Sequence, residues 1–243
     1  MNILAIDAST TFSYVALRST QGDKFEICKE QRSHASFILP AIERLLEAAN
    51  MEASELDGVV VGHGPGSFTG IRIAVSVAQG IAYGAKAYAL GLDSTAIFAN
   101  AACQQFSSAD SHCSAFDILI AIDARMGEAY FSVYRFRETH ELIESSPIEL
   151  VPANKMKDIV NQHAQNGSSK LILIGDGWPD GIREGTNLHK IIGFADLSAN
   201  QIPTAMLNLA EHSASVFGSP KLLQPLYVRS GVSWQKRTRI RAI

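Results

Sequence analysis

The stretch NILAIDASTTFSYVALR, residues 2–18, returns in altered form as ILIAIDARMGEAYFSVYR, residues 118–135. In each copy an apolar run ends in AIDA, at Asp7 and Asp123. A tyrosine seven residues later (Tyr14, Tyr130) opens a second apolar run. Short runs of this kind, broken by small polar residues, read as paired strands. A third echo follows: VVVGHGP at 59–65 against ILIGDGWP at 172–179, with Asp-to-Gly separations of 55 and 52 residues. A single four-residue match is coincidence; three in register imply an internal duplication.

The intervening sequence supports the same unit. Strands are expected at 3–6, 13–18 and 25–29, a helix over 34–50, a strand at 58–61 and a helix to about 83. A strand at 87–92 and a helix at 94–105 complete the first half, and from 116 the order three strands, helix, strand, helix begins again. The predicted fold is α/β, a duplicated β-β-β-α-β-α unit. Its lobes are residues 1–106 and a smaller, reduced one at 107–243. Each aspartate ends the first strand of its lobe and is expected to face a cleft between them. That is the plan of the actin-like and Hsp70-like (ASKHA) ATP-binding folds, where such acids hold Mg²⁺ or water and glycine turns admit phosphate. Asp7, Ser9, Thr10, Asp123 and Arg125 are therefore the candidate nucleotide-cleft residues. The phosphate turns are altered, however: where D-x-G-[ST] has glycine, Ser9 and Arg125 stand. A self-contained, efficient ATPase is not expected.

Composition narrows the classes further. The chain has 243 residues, 47% of them hydrophobic, and a formal net charge of −3. That is enough chain to bury about 70–75% of its unfolded surface, and too acidic for a domain that binds nucleic acid alone. The exception is the basic tail with Lys236, Arg237, Arg239 and Arg241. Cys28, Cys103 and Cys113 are odd in number and widely spaced, which implies a reducing compartment. The amino-terminal run meets Asp7 too early for a signal peptide, and no apolar run approaches the roughly 18 residues needed to span a bilayer. A cytoplasmic protein with no membrane partner is expected. No zinc-type Cys/His spacing or H-E-x-x-H occurs, so no metal is expected. His34, His63 and His112 stand singly, and the His112-Cys113 pair lies in a Ser/Asp-rich stretch read as an exposed loop.

The glycine-rich segment GHGPGSFTGIR, residues 62–72, fits neither phosphate template. It lacks the P-loop lysine, and its last glycine falls one residue off both that spacing and the dinucleotide spacing. Asp93 stands at a suitable distance for a ribose hydroxyl but does not repair the loop. Gly66, Gly70, Ala74, Ala78 and Ala82 instead form a ridge of small residues in steps of four, beside Ile71, Ile73, Val75, Val77 and Ile81. Such a ridge lets another element approach closely. The helix at 34–50 is apolar over more than half its circumference (Phe37, Ile38, Leu39, Ala41, Ile42, Leu45, Leu46, Ala49) and should bend at Pro40. Spacing alone leaves two readings open for these helices, core packing and partner docking.

The segments MNILAIDAST, GHGPGSFTGIRIAVSVAQG, AIDARMGEAYF and PLYVRSGVSW resemble the bacterial TsaB (YeaZ) family along the length of the chain. The resemblance implies an actin-like, non-catalytic relative of TsaD, the subunit that transfers a threonylcarbamoyl group to adenosine in tRNA. TsaD-like proteins carry an H-x-x-x-H metal motif on the helix that here spans 93–103, which has no histidine. The family implies a homodimer, docking to TsaD through the first two helices, and an assembly joined by the ATPase TsaE. tRNA is then met through the complex. No cofactor is expected to be firmly bound, with ATP or ADP at the complex interface. The interface residues so implied are Phe37, Ile38, Ala41, Ile42, Leu45, Gly70, Ile71, Ala74, Val75 and Ala78. The alternatives are a free-standing actin-fold ATPase or small-molecule kinase, motivated by Asp7 and Asp123, and a peptidase, for which no constellation is present.

Overall fold

A computed structural model describes residues 1–30, 34–106, 115–165, 171–182, 190–198 and 200–229. The first half contributes strands β1 (Ile3–Asp7), β2 (Ser13–Ser19) and β3 (Gly22–Cys28), then helix α1 (His34–Ala48). Strand β4 (Gly58–Gly64), helix α2 (Phe68–Ala85), strand β5 (Tyr88–Asp93) and helix α3 (Ser94–Phe106) follow. The sheet order is β3-β2-β1-β4-β5. The β1–β2–β3 meander is antiparallel, while β4 and β5 join in parallel. The parallel strands read as continuous apolar runs because both faces are covered: every residue of β1 is buried.

The second half repeats this plan. It holds β6 (Ala115–Arg125), β7 (Glu128–Arg137), β8 (Leu142–Ser145), β9 (Glu149–Pro152), α4 (Met156–Gln165), β10 (Leu171–Gly175), β11 (Lys190–Ile192) and α5 (Gln201–His212). Its sheet order, β8-β7-β6-β10-β11, matches the first sheet strand for strand, with β9 also pairing along β7. Both halves are thus copies of one actin-like unit. The second is reduced: among the described residues no helix corresponds to α2 between β10 and β11.

Three cores result. Between the sheets, Ile3, Ala5, Tyr14 and Val60 meet Ile118, Ile120, Ile122 and Tyr134, with α3 and α5 packed among them. On the outer face of the first sheet, Leu4, Ile6, Val15, Val59 and Val61 pack against α1 and α2. On that of the second, Leu119, Ala121 and Phe131 pack against Met156 and Val160 of α4. After α5 the chain crosses back over the first half as a strap. Ala89 and Gly218 exchange backbone hydrogen bonds of 2.9 Å. Leu223 enters the α1–α2 core, and the Gln79 amide donates to its carbonyl at 2.8 Å. Arg229 then reaches the other sheet, pairing with Glu128 at 2.7 Å.

Candidate functional site

The β4–α2 junction shows what the glycines do. The Ser67 hydroxyl caps α2 by accepting from the Gly70 N–H at 3.3 Å, and the Ser67 N–H donates to the Ser9 carbonyl at 2.7 Å. A Cβ at Gly66 would fall on that same carbonyl, and one at Gly70 on the carbonyl of Ala8. The small-residue ridge therefore faces inward: Gly70, Ala74, Ala78 and Ala82 are buried where α2 lies on β1 and β4. This corrects the expected interface. Ile38, Ala41, Ile42, Leu45, Gly70, Ile71, Ala74, Val75 and Ala78 all lie in this chain's own core, and Phe37 is half-buried against it. A stripe of small residues permits close approach on whichever side the heavier neighbour lies, and here that neighbour is the first sheet.

The solvent side of α2 carries a different set. Phe68, Thr69, Arg72, Ile73, Ser76 and Val77 line a shallow groove of about 450 Å³. Phe68 is 60% exposed. Further along, Gly80, Tyr83 and Gly84 continue the exposed face. Arg72 is the one charged residue of α2. Its guanidinium carbon lies 3.5 Å from the Phe68 ring centre and 5.5 Å from that of Tyr227 on the strap, and its Nε–H donates to the Tyr227 hydroxyl at 2.9 Å.

The two aspartates do not form the expected cleft. Asp7 is fully buried on the inter-sheet face opposite Tyr14. Its Oδ1 accepts from the Ser9 N–H and hydroxyl, both at 3.0 Å, whereas Oδ2 has no partner among the described residues and presses on Gly62, where a Cβ would collide with it. Burial pushes its carboxyl up to about 7, only partly offset by the Ser9 bonds. Thr10, 6% exposed, accepts from the Phe12 N–H. Asp123 pairs instead with Ala129, which belongs to the core on the outer face. Directly opposed residues of a strand pair share a face, so Asp7 and Asp123 leave their sheets in opposite senses. The cause is a register shift between Asp123 and Arg125, next to a turn in which Arg125, Met126 and Gly127 all have positive φ. It sets Ile122, not Asp123, opposite Tyr130. Asp123 accepts from the Arg125 N–H at 2.8 Å and pairs with its side chain, and its own N–H donates to Asp176 at 3.0 Å. Desolvation raises the Asp176 carboxyl.

Other singled-out residues are structural. His63 bridges elements, its Nε2 lying 3.0 Å from Asp93 Oδ1 and its Nδ1 3.2 Å from the Gln224 carbonyl. Asp93 is thereby engaged by an imidazole. Sequence reasoning missed the contact of the Ser13 hydroxyl with His34 Nδ1 at 2.6 Å, a pairing 21 residues apart that no motif signals. Ser13 is 1% exposed, which keeps its hydroxyl from a substrate. Among the described residues no group of three His, Cys, Asp or Glu side chains could hold a metal, and no helix is long and apolar enough to cross a membrane. The His112-Cys113 pair and the basic tail lie outside the described residues.

Comparison with known proteins gives these positions a family. The family model described as "TsaD: tRNA N6-adenosine threonylcarbamoyltransferase" matches residues 28–239. The "tRNA threonylcarbamoyladenosine biosynthesis protein TsaB" of Escherichia coli K12 is 31% identical over 242 residues, 97% of this chain and 98% of that protein. The chain belongs to the TsaD family, as one of its TsaB members. A TsaB of Haemophilus influenzae is 30% identical over 255 residues, 97% of each chain. Among solved structures, YeaZ from Pseudomonas aeruginosa superposes with a TM-score of 0.75 at 25% identity, over 93% of this chain and 99% of that one.

Proposed function

We propose that this chain serves tRNA threonylcarbamoyladenosine biosynthesis as a non-catalytic accessory subunit. It seats a TsaD-type catalytic partner on the solvent face of α2, with the exposed part of α1 (Leu39) alongside. The observation that carries this reading is a feature of α2 that the isolated chain does not need. Gly80 and Gly84 sit inside the helix, where each glycine costs about 0.5–1 kcal/mol relative to alanine. A Cβ at either would meet nothing within 4 Å. With Ser76 they form a second row of small residues in steps of four, beside Ile73 and Val77 and turned toward water. A row of this kind accepts a partner helix at short range.

The remainder of the proposal follows the family. The lobes are taken as 1–106 and 107–243; TsaE joins the assembly, and the same α2 face supports a homodimer in the partner's absence. tRNA is met through the complex, ATP or ADP at its interface, and the setting is the cytoplasm. A free-standing ATPase or kinase would need two acids converging on one cleft, and Asp7 and Asp123 lie on opposite faces. The deciding experiment is Ser76→Arg, a solvent-side change that leaves the core untouched. It should abolish co-elution with the TsaD partner and reduce tRNA modification in a reconstituted system, with an unchanged melting temperature. Undiminished co-elution would remove the proposal.

A further inference from the structure

The solvent face of α2 carries one charge of its own, and the fold holds that charge in a specific way. Arg72 is exposed on the first turns of α2, and Phe68 and Tyr227, 60% and 56% exposed, flank its guanidinium. The Phe68 ring lies beneath it at 3.5 Å, Tyr227 stands at 5.5 Å, and the two rings are 6.3 Å apart. The Nε–H is spent on the Tyr227 hydroxyl at 2.9 Å. Among the described residues, Arg72 takes part in none of the ion pairs. Lysine would not serve here, because only the planar guanidinium stacks on a ring and also keeps a two-donor edge for a carboxylate.

Immobilising an arginine side chain ordinarily consumes rotamer entropy, and much of it for a side chain of this length. The two rings and the hydroxyl have already met that requirement before any partner arrives. The clasp joins two distant parts of the chain: Phe68 and Arg72 come from α2, whereas Tyr227 comes from the strap. The strap is itself fixed nearby by the Leu226 N–H on the His63 carbonyl at 2.8 Å. Beside the clasp the groove is apolar, formed by Ile73 and Val77 with Thr69 and Ser76. An arginine held between aromatic rings at the edge of an apolar groove has the composition of an interface hot spot.

We infer that Arg72 is a preorganised receptor for a carboxylate, so that the segment seated on α2 presents an aspartate or glutamate next to its apolar contact residues. This rests on the docking reading above and specifies the chemistry of the partner. The same clasp makes the strap a component of the docking face, since Tyr227 orients Arg72 without being required for the groove.

The test measures affinity for the TsaD-type partner by titration calorimetry at two ionic strengths, with the full chain. Arg72→Gln should weaken binding about ten- to hundredfold, the loss expected for a charge-assisted hydrogen bond at an interface, and should flatten the salt dependence. Tyr227→Ala should weaken it several-fold and Tyr227→Phe less, with unchanged melting temperatures for all three. An acid-to-arginine change in the partner's docking segment should restore binding to Arg72→Glu. Unchanged affinity and salt dependence in Arg72→Gln, while Ser76→Arg still abolishes binding, would overturn the carboxylate receptor and leave the docking face standing. If Ser76→Arg also binds normally, the docking reading itself falls. A loss confined to self-association, with the partner bound normally, would likewise overturn the assignment of the occupant.

Discussion

Replacing Asp7 by asparagine should change how stability depends on pH more than it changes stability itself. The carboxyl is wholly buried, and one of its oxygens has no partner among the described residues. Burial moves its pKa from 3.8 to about 7. The folded chain therefore holds the proton more tightly than the unfolded chain does. The associated stability is fully present below about pH 4 and declines as pH rises toward the folded value. Above that value both states are ionised and the decline ends. The whole span is about 4 kcal/mol, three units at roughly 1.4 kcal/mol each. Between pH 5 and 8 the linkage relation gives a loss of about 2.5 kcal/mol. For a chain of this size that corresponds to roughly 5–10 °C in melting temperature. In Asp7→Asn the amide oxygen can still accept from Ser9, but no proton is gained or lost at that position. His34, whose protonated form burial disfavours, titrates alike in both proteins and cancels in the difference. Denaturation of both proteins from pH 5 to 8 should thus show the wild type losing about 2.5 kcal/mol relative to Asp7→Asn, whatever their offset at pH 5. Parallel curves would refute the assignment of a buried, proton-holding carboxyl.

Two further expectations concern packing. Gly70→Ala drives a methyl group into the Ala8 carbonyl and should lose about 2 kcal/mol or more. Gly80→Ala meets open space and should gain up to about 1 kcal/mol while weakening partner binding; the paired measurement is chemical denaturation of both variants. Cys103 is 2% exposed and its thiol is pushed up to about 12 by burial. It should resist iodoacetamide in the native chain at pH 8 and react only on unfolding, as peptide mass mapping would show.

The order of elements in the first half and the duplication were legible because they rest on local signals: apolar runs, turn residues and echoes at matching separations. What those signals could not give was facing. The AIDA echo aligned Asp7 with Asp123, but a register shift after Asp123 sets Ile122 at the place that Asp7 occupies opposite its tyrosine. A one-residue slip in pairing reverses every side chain, and no composition rule marks where it occurs. The Gly66–Ala82 ridge was legible as a surface of close approach. Its direction depended on the carbonyls of Ala8 and Ser9, about 60 residues earlier. Gly80 and Gly84, to which the proposed docking row is assigned, were passed over because glycine inside a helix reads as a weak point until the space around it is known. Tyr227 lies 155 residues from Arg72, a pairing only the folded strap reveals.

The strap also has a consequence for the order of events during synthesis. Everything in the first sheet, including α2, is translated well before residues 217–229. Yet Leu223 completes the core beneath α2, and Tyr227 completes the arginine clasp on its outer face. A nascent chain that has released only its first half therefore exposes an unfilled apolar seam and an unanchored Arg72. These contacts are long-range in sequence, so they are the slow ones to form. On the docking reading proposed above, a chain that stops short of residue 227 binds its partner more weakly, because both the seam beneath α2 and the clasp above it are incomplete.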